Sequence, residues 1–102
     1  MKTFKRGESI TVRVAEEFEL CLEVLAMSGY EWQVAEKPTG LTILGSSFST
    51  LADDGIGAAS QQILRLRADQ SGALNLRLVC KRAWDATPSE TLTMHVTVRG
   101  HA

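Results

Sequence analysis

The chain has 102 residues with a formal net charge of −1, and 44% of them are hydrophobic and 23% charged. This length fits one domain, and the composition is that of a globular protein, not of a disordered or collagen-like one. The near-neutral charge argues against a nucleic-acid partner, and the lack of any run of eighteen apolar residues argues against a transmembrane helix or a membrane partner.

Apolar and polar residues alternate along most of the chain, a pattern typical of strands with one buried and one exposed face. In chain order the predicted strands are Ile10–Val14, Phe18–Val24, Tyr30–Val34, the apolar run Leu41–Leu44, Leu64–Ala68, Leu74–Cys80 and Leu92–Val98. They predict an all-β fold, a seven-stranded immunoglobulin-like antiparallel β-sandwich with Trp32 in its core. The helix propensity of Gln61–Arg67 leaves a local helix there as the alternative.

The connections between the predicted strands are short, with one exception. The segment from Gly45 to Ser60 is rich in Ser, Gly and Ala, which predicts a long loop, and loops of that length are usually functional or disordered. We expect residues 1–102 to form a single domain with a core of about residues 9–99.

The charged residues on two of these strands predict cross-strand pairs. Glu19 and Glu23 would face outward on the second strand, and Arg65 and Arg67 would do so on the fifth. Because those strands are neighbours in immunoglobulin-like sandwiches, we expect the carboxylates to pair with the guanidinium groups.

The residues that could support catalysis are few and poorly placed. Alternation points Cys21 outward and Cys80 inward, so we expect no disulfide between them. His95 and His101 lack partners at metal-ligand spacing, and Gly55–Gly57 lacks the Lys and helix of a phosphate-binding loop. We therefore expect no catalytic residue, no cofactor and no metal.

The connections after the second, fourth and sixth strands should emerge at one end of the sandwich. They carry Met27-Ser28-Gly29, Gly55-Ile56-Gly57-Ala58 and Arg82-Ala83-Trp84. An exposed Trp beside Arg, with small residues nearby, is typical of a protein-binding surface. A Trp84 folded back over the end of the core is the alternative.

These segments resemble the three loop motifs of the chagasin-type inhibitors of papain-like cysteine peptidases: Asn-Pro-Thr-Thr-Gly-Tyr/Phe-x-Trp, Gly-x-Gly-Gly and Arg-Pro-Trp. This sequence has Leu25–Trp32, Gly55–Ala58 and Arg82–Trp84 in the same order, and the similarity extends from about Ser9 to Arg99. Both motif prolines are replaced, by Ala26 and Ala83, which should increase the loop entropy lost on binding.

The resemblance implies an inhibitor, not an enzyme, that acts as a monomer and occludes the substrate cleft of a papain-like cysteine peptidase. The peptidase-binding residues it implies are Met27, Ser28, Gly29, Tyr30, Gly55, Ile56, Gly57, Ala58, Arg82, Ala83 and Trp84. The main alternative function is an immunoglobulin-like binding or adhesion module without inhibitory activity. The N-terminus lacks the apolar segment of a signal peptide, so the sequence as it stands is expected in the cytoplasm, or in the periplasm or outside the cell if a leader was removed.

Overall fold

Eight strands make up most of the computed structural model, which describes residues 1–24, 29–36, 38–50 and 60–100, without the side chains of residues 49, 50 and 60. The strands are β1 (Lys2–Lys5), β2 (Ile10–Arg13), β3 (Glu17–Val24), β4 (Glu31–Glu36), β5 (Leu41–Thr50), β6 (Ser60–Ala68), β7 (Gly72–Lys81) and β8 (Glu90–Arg99). Within these ranges, no helix has the length and hydropathy needed to cross a membrane.

The strands form two four-stranded sheets, in the order β1-β3-β6-β5 in one and β2-β8-β7-β4 in the other. The all-β sandwich predicted from the alternation is confirmed, and Trp32 is 2% exposed in its core. The strand β1 pairs parallel to β3 and β2 pairs parallel to β8, while the remaining pairs are antiparallel.

The strand count is eight instead of the predicted seven because β1 was not anticipated. Its four residues include a single large apolar side chain, Phe4, so the segment is too short to show alternation. Phe4 packs edge-on against Phe18, with ring centroids 6.0 Å apart and an interplanar angle of 84°. Pairing with β3 and this aromatic contact stabilise a strand that the local sequence does not specify.

The expected loop over residues 45–60 is wrong for Ser60, which begins β6, and residues 51–59 lie outside the described residues. The strand β5 is longer than predicted, so the loop is also wrong for residues 45–50. These residues continue β5, in which Ser46 opposes Leu64 and Phe48 opposes Gln62 after a register shift between Ile43 and Gly45. The Ser-rich composition resembles a loop, but backbone pairing with β6 provides the hydrogen bonds of a strand. Gln61–Arg67 lies within β6, so the helix alternative is wrong as well.

Among the described residues, seventeen buried apolar side chains from both sheets pack into one core. Gln62 of β6 is also buried, and it crosses between the sheets. Its Oε1 accepts a hydrogen bond from the backbone N–H of Trp32 at 2.6 Å, and its Nε2 donates to the Trp32 carbonyl at 2.8 Å and to Ser46 Oγ at 3.2 Å. The strand β4 is at the edge of its sheet, and Gln62 from the other sheet thereby provides hydrogen-bond partners for the backbone of Trp32.

The predicted cross-strand charge pairing is confirmed for one pair. Arg65 Nη2 lies 3.4 Å from Glu19 Oε2 on adjacent strands. Arg67 Nε instead binds Asp69 Oδ1 at 2.8 Å, and Glu23 lies opposite Gln61. The register keeps Glu23 six residues from Arg67 along β6, so the prediction is wrong for these two residues, and Arg67 binds the carboxylate of Asp69 directly after the strand. Because the Glu19–Arg65 pair is solvent-exposed, it should contribute at most about 1 kcal/mol.

Candidate functional site

The described part of the connection between β3 and β4 consists of Gly29 and Tyr30, two of the predicted binding residues. Gly29 has a φ of +80°, a backbone conformation that residues other than glycine rarely adopt. A Cβ atom at this position would lie 3.1 Å from Cη2 of Trp84, so the glycine also gives room to the indole. Met27 and Ser28 of the predicted site lie outside the described residues.

The connection between β7 and β8 is closed by its own hydrogen bonds. The Asp85 N–H donates to the Arg82 carbonyl at 3.0 Å, and the Ser89 N–H donates to the Cys80 carbonyl at 2.8 Å. The Asp85 carboxylate accepts hydrogen bonds from the Arg82 backbone N–H at 3.3 Å, Nε at 2.9 Å and Nη2 at 3.2 Å. This bidentate pair with its backbone bond fixes the turn that carries Ala83 and Trp84.

Ionic hydrogen bonding between Arg82 and Asp85 shifts the pKa of both groups. The guanidinium of Arg82 lowers the pKa of the Asp85 carboxyl, and the carboxylate raises the pKa of Arg82. Both groups are therefore charged throughout the pH range in which proteins are normally folded.

Trp84 is 72% exposed, so the alternative in which it folds back over the core is wrong. The Arg82 guanidinium lies over two rings, 5.1 Å from the Tyr30 centroid and 5.3 Å from the Trp84 centroid. These cation–π contacts and the approach of Gly29 to the indole join the first and third predicted loops into one surface.

The strands that flank the second predicted loop end close to this surface. Thr50 opposes Ser60 across β5 and β6, and Ser60 opposes Val24 at the end of β3. On the other sheet, Glu31 opposes Lys81, so β4 begins where β7 ends. The connections after β3, β5 and β7 therefore leave from the same end of the sandwich, which we call the loop end.

The structure thus brings together five of the eleven predicted binding residues: Gly29, Tyr30, Arg82, Ala83 and Trp84. Gly55, Ile56, Gly57 and Ala58 lie outside the described residues, as do Met27 and Ser28.

Two residues at the loop end were not among the predicted binding residues. Asp85 holds the third loop, and the three-residue spacing of Arg82 and Asp85 was the available signal. Phe48 lines a cleft with Gly29, Tyr30 and Ala83, but it fell within the segment that was predicted to be a loop.

The two thiols are not activated for catalysis. The cysteines are free, as predicted, with Cys21 half-buried and Cys80 buried. Burial, with a smaller contribution from Glu19, raises the pKa of Cys21, and burial together with Glu90 raises that of Cys80. Both remain protonated at neutral pH, whereas a nucleophilic cysteine requires a lowered pKa.

The histidine and carboxylate positions do not form a metal site in the described ranges. No group of three His, Cys, Asp or Glu side chains there is arranged to hold a metal ion. Nδ1 of His95 lies 2.8 Å from Oδ1 of Asn75, its cross-strand partner, so this histidine has a structural hydrogen bond. His101 lies outside the described residues.

Comparisons with known proteins agree with this architecture. The cysteine protease inhibitor EhICP2 from Entamoeba histolytica has a similar structure, with a TM-score of 0.76 and 20% sequence identity over 96% of this chain and 95% of that one. The solution structure of amebosin gives a TM-score of 0.75 and 22% identity over 96% of this chain and 97% of that one. No curated protein matches the chain.

Family membership follows from the match of residues 11–98 to the model of the chagasin family peptidase inhibitors I42. This range includes all eleven predicted binding residues and both sheets, except for β1 and the ends of β2 and β8. The chain belongs to the chagasin family and is a peptidase inhibitor, not an enzyme.

Proposed function

We propose that this chain inhibits papain-like cysteine peptidases by filling their substrate cleft with three loops from the loop end of the sandwich. The observation that carries the proposal is the joint surface of Gly29, Tyr30, Arg82 and Trp84 in a member of this inhibitor family. Trp, Tyr and Arg are the residue types enriched among those that contribute most of the binding energy at protein interfaces.

Inhibition by this surface requires no covalent step. Ser28 and Gly29 would lie over the catalytic thiolate of the peptidase, where small residues allow the backbone to approach without presenting a scissile bond. Trp84 would pack on the apolar surface beside the cleft, with Arg82 making polar contacts. Gly55–Ala58 would lie along the other side as an extended segment.

The domain organisation is inferred from the core that the two sheets share. We propose that residues 1–102 act as one domain, with a core of about residues 9–99, because the buried residues from Ile10 to Val98 form one cluster between the sheets. A monomer is sufficient for this mechanism, since all three loops belong to one chain.

Titration of papain with the purified protein tests the proposal directly. We expect reversible, saturable inhibition at micromolar inhibitor or below, competitive with a peptide substrate. Trypsin is the control, since a serine peptidase has a differently shaped cleft and should stay fully active. Unchanged papain activity at micromolar concentration would contradict the proposal and favour a binding module without inhibitory activity.

The replacement Asp85→Asn should weaken inhibition about three- to tenfold, because the third loop lacks the motif proline and depends on the Arg82–Asp85 pair to hold Trp84 before binding. Because the pKa of Asp85 is lowered, its carboxylate is fully ionised and paired with Arg82 above the usual carboxyl pKa. The ion pair is lost only when the pH falls through the lowered pKa of Asp85. The loss in affinity should therefore be the same at pH 5 and pH 7.

The matched control is Asp69→Asn, which breaks a similar pair with Arg67 at the opposite end of the sandwich. It should leave the inhibition constant unchanged. Equal inhibition by the Asp85→Asn variant and the parent at both pH values would show that this pair does not organise the loop.

A further inference from the structure

A cleft of about 350 Å³ opens at the loop end between β4 and β5. It is lined by Gly29, Tyr30, Glu31, Phe48 and Ala83. Three of these, Gly29, Tyr30 and Ala83, belong to the proposed inhibitory loops. Phe48 lies on a strand and is part of none of the three loop motifs.

The sheet register explains why Phe48 faces this cleft. Its partner on β6 is Gln62, which is 1% exposed and reaches Trp32 in the other sheet. Paired residues on adjacent strands have their side chains on the same face, so Phe48 also points toward the space between the sheets. Its side chain nevertheless remains 51% exposed, which shows that the sandwich is open at this point.

We propose that this cleft receives an apolar side chain from the rim of the substrate cleft of the bound peptidase, with Phe48 as an additional contact residue. This inference rests on the proposed function. The rings of Phe48 and Tyr30 provide apolar walls, and the small residues Gly29 and Ala83 leave room for the incoming group. Among the described residues that line the cleft, Glu31 alone carries a charge, so this lining favours an apolar occupant over an anionic one.

Continuity with the loop surface identifies the peptidase as the occupant. Gly29 lies beside the Trp84 indole and also lines the cleft, and Ala83 directly precedes Trp84 in the chain. A protein seated on Trp84 therefore covers the mouth of the cleft as well. The half-exposed ring of Phe48 then loses its remaining contact with water and contributes to affinity.

The experiment compares papain inhibition by the parent, Phe48→Ala and Ile43→Ala. Ile43 is a suitable control because it is a 39% exposed apolar residue of the same strand, five residues and about 16 Å from Phe48. We expect Phe48→Ala to raise the inhibition constant about tenfold, Phe48→Leu to raise it less than threefold, and Ile43→Ala to leave it unchanged. Thermal unfolding of each variant checks that the fold is kept.

The outcomes separate this inference from the proposed function. If the parent inhibits papain and both Phe48→Ala and Phe48→Leu have the same inhibition constant as the parent, the cleft proposal alone is overturned. Equal weakening by Ile43→Ala would also overturn it, because the effect would then belong to the strand and not to the cleft. A parent that does not inhibit papain would overturn both.

Discussion

The replacement Trp84→Ala is expected to raise the inhibition constant for papain about 30-fold or more, which corresponds to about 2 kcal/mol of binding free energy. The indole is 72% exposed in the free protein, so most of its surface is available for burial in a complex. Arg82 contacts the indole and is itself held by Asp85, and the ring is therefore positioned before the peptidase arrives. Less side-chain entropy is lost on binding from such a position.

The fold should be almost unaffected by this replacement, because an exposed side chain contributes little to the core. We expect the free energy of unfolding of Trp84→Ala to stay within about 0.5 kcal/mol of the parent. Trp84→Phe retains an aromatic ring and should recover most of the affinity. Equal inhibition constants for the parent and Trp84→Ala, measured with correctly folded proteins, would remove Trp84 from the interface.

Alternation of apolar and polar residues was sufficient to predict the sandwich, because a strand with one buried face must repeat every two residues. It failed where a segment is a strand only because of its neighbours. The strand β1 carries the single apolar ring of Phe4, and residues 45–50 of β5 resemble a loop in composition. Both segments are strands through pairing with β3 or β6, which is long-range information that a local pattern does not contain.

The residues of the candidate site also include some that the sequence could predict and some that it could not. Arg82 and Trp84 could be predicted because their residue types are characteristic of protein interfaces, and Gly29 because small residues allow close approach. The roles of Phe48 and Gln62 depend on which residue of the partner strand lies opposite them. Register therefore had to be known before either residue could be connected with the loops.

Gln62→Leu is expected to lower the free energy of unfolding by about 2–5 kcal/mol, because it removes both hydrogen-bond partners of a buried backbone segment. The leucine side chain fills a similar volume but has no hydrogen-bonding group. The N–H and carbonyl of Trp32, which Gln62 pairs at 2.6 and 2.8 Å, would be left without partners. Trp32 is 2% exposed, so water cannot easily replace them, and each unpaired group costs about 1–3 kcal/mol.

Urea denaturation of Gln62→Leu and the parent measures this cost, with Gln33→Leu as the matched control. Gln33 is on β4 as well, but it is half-buried and its hydrogen bond to Glu31 is long, 3.4 Å, so its replacement should change the free energy of unfolding by less than about 0.5 kcal/mol. The effect should extend to function, because Trp32 follows Tyr30 by two residues and a loosened β4 would no longer hold Tyr30 against Arg82. If Gln62→Leu were as stable as the parent, the hydrogen bonds of Gln62 to Trp32 would contribute nothing to the stability of the sandwich.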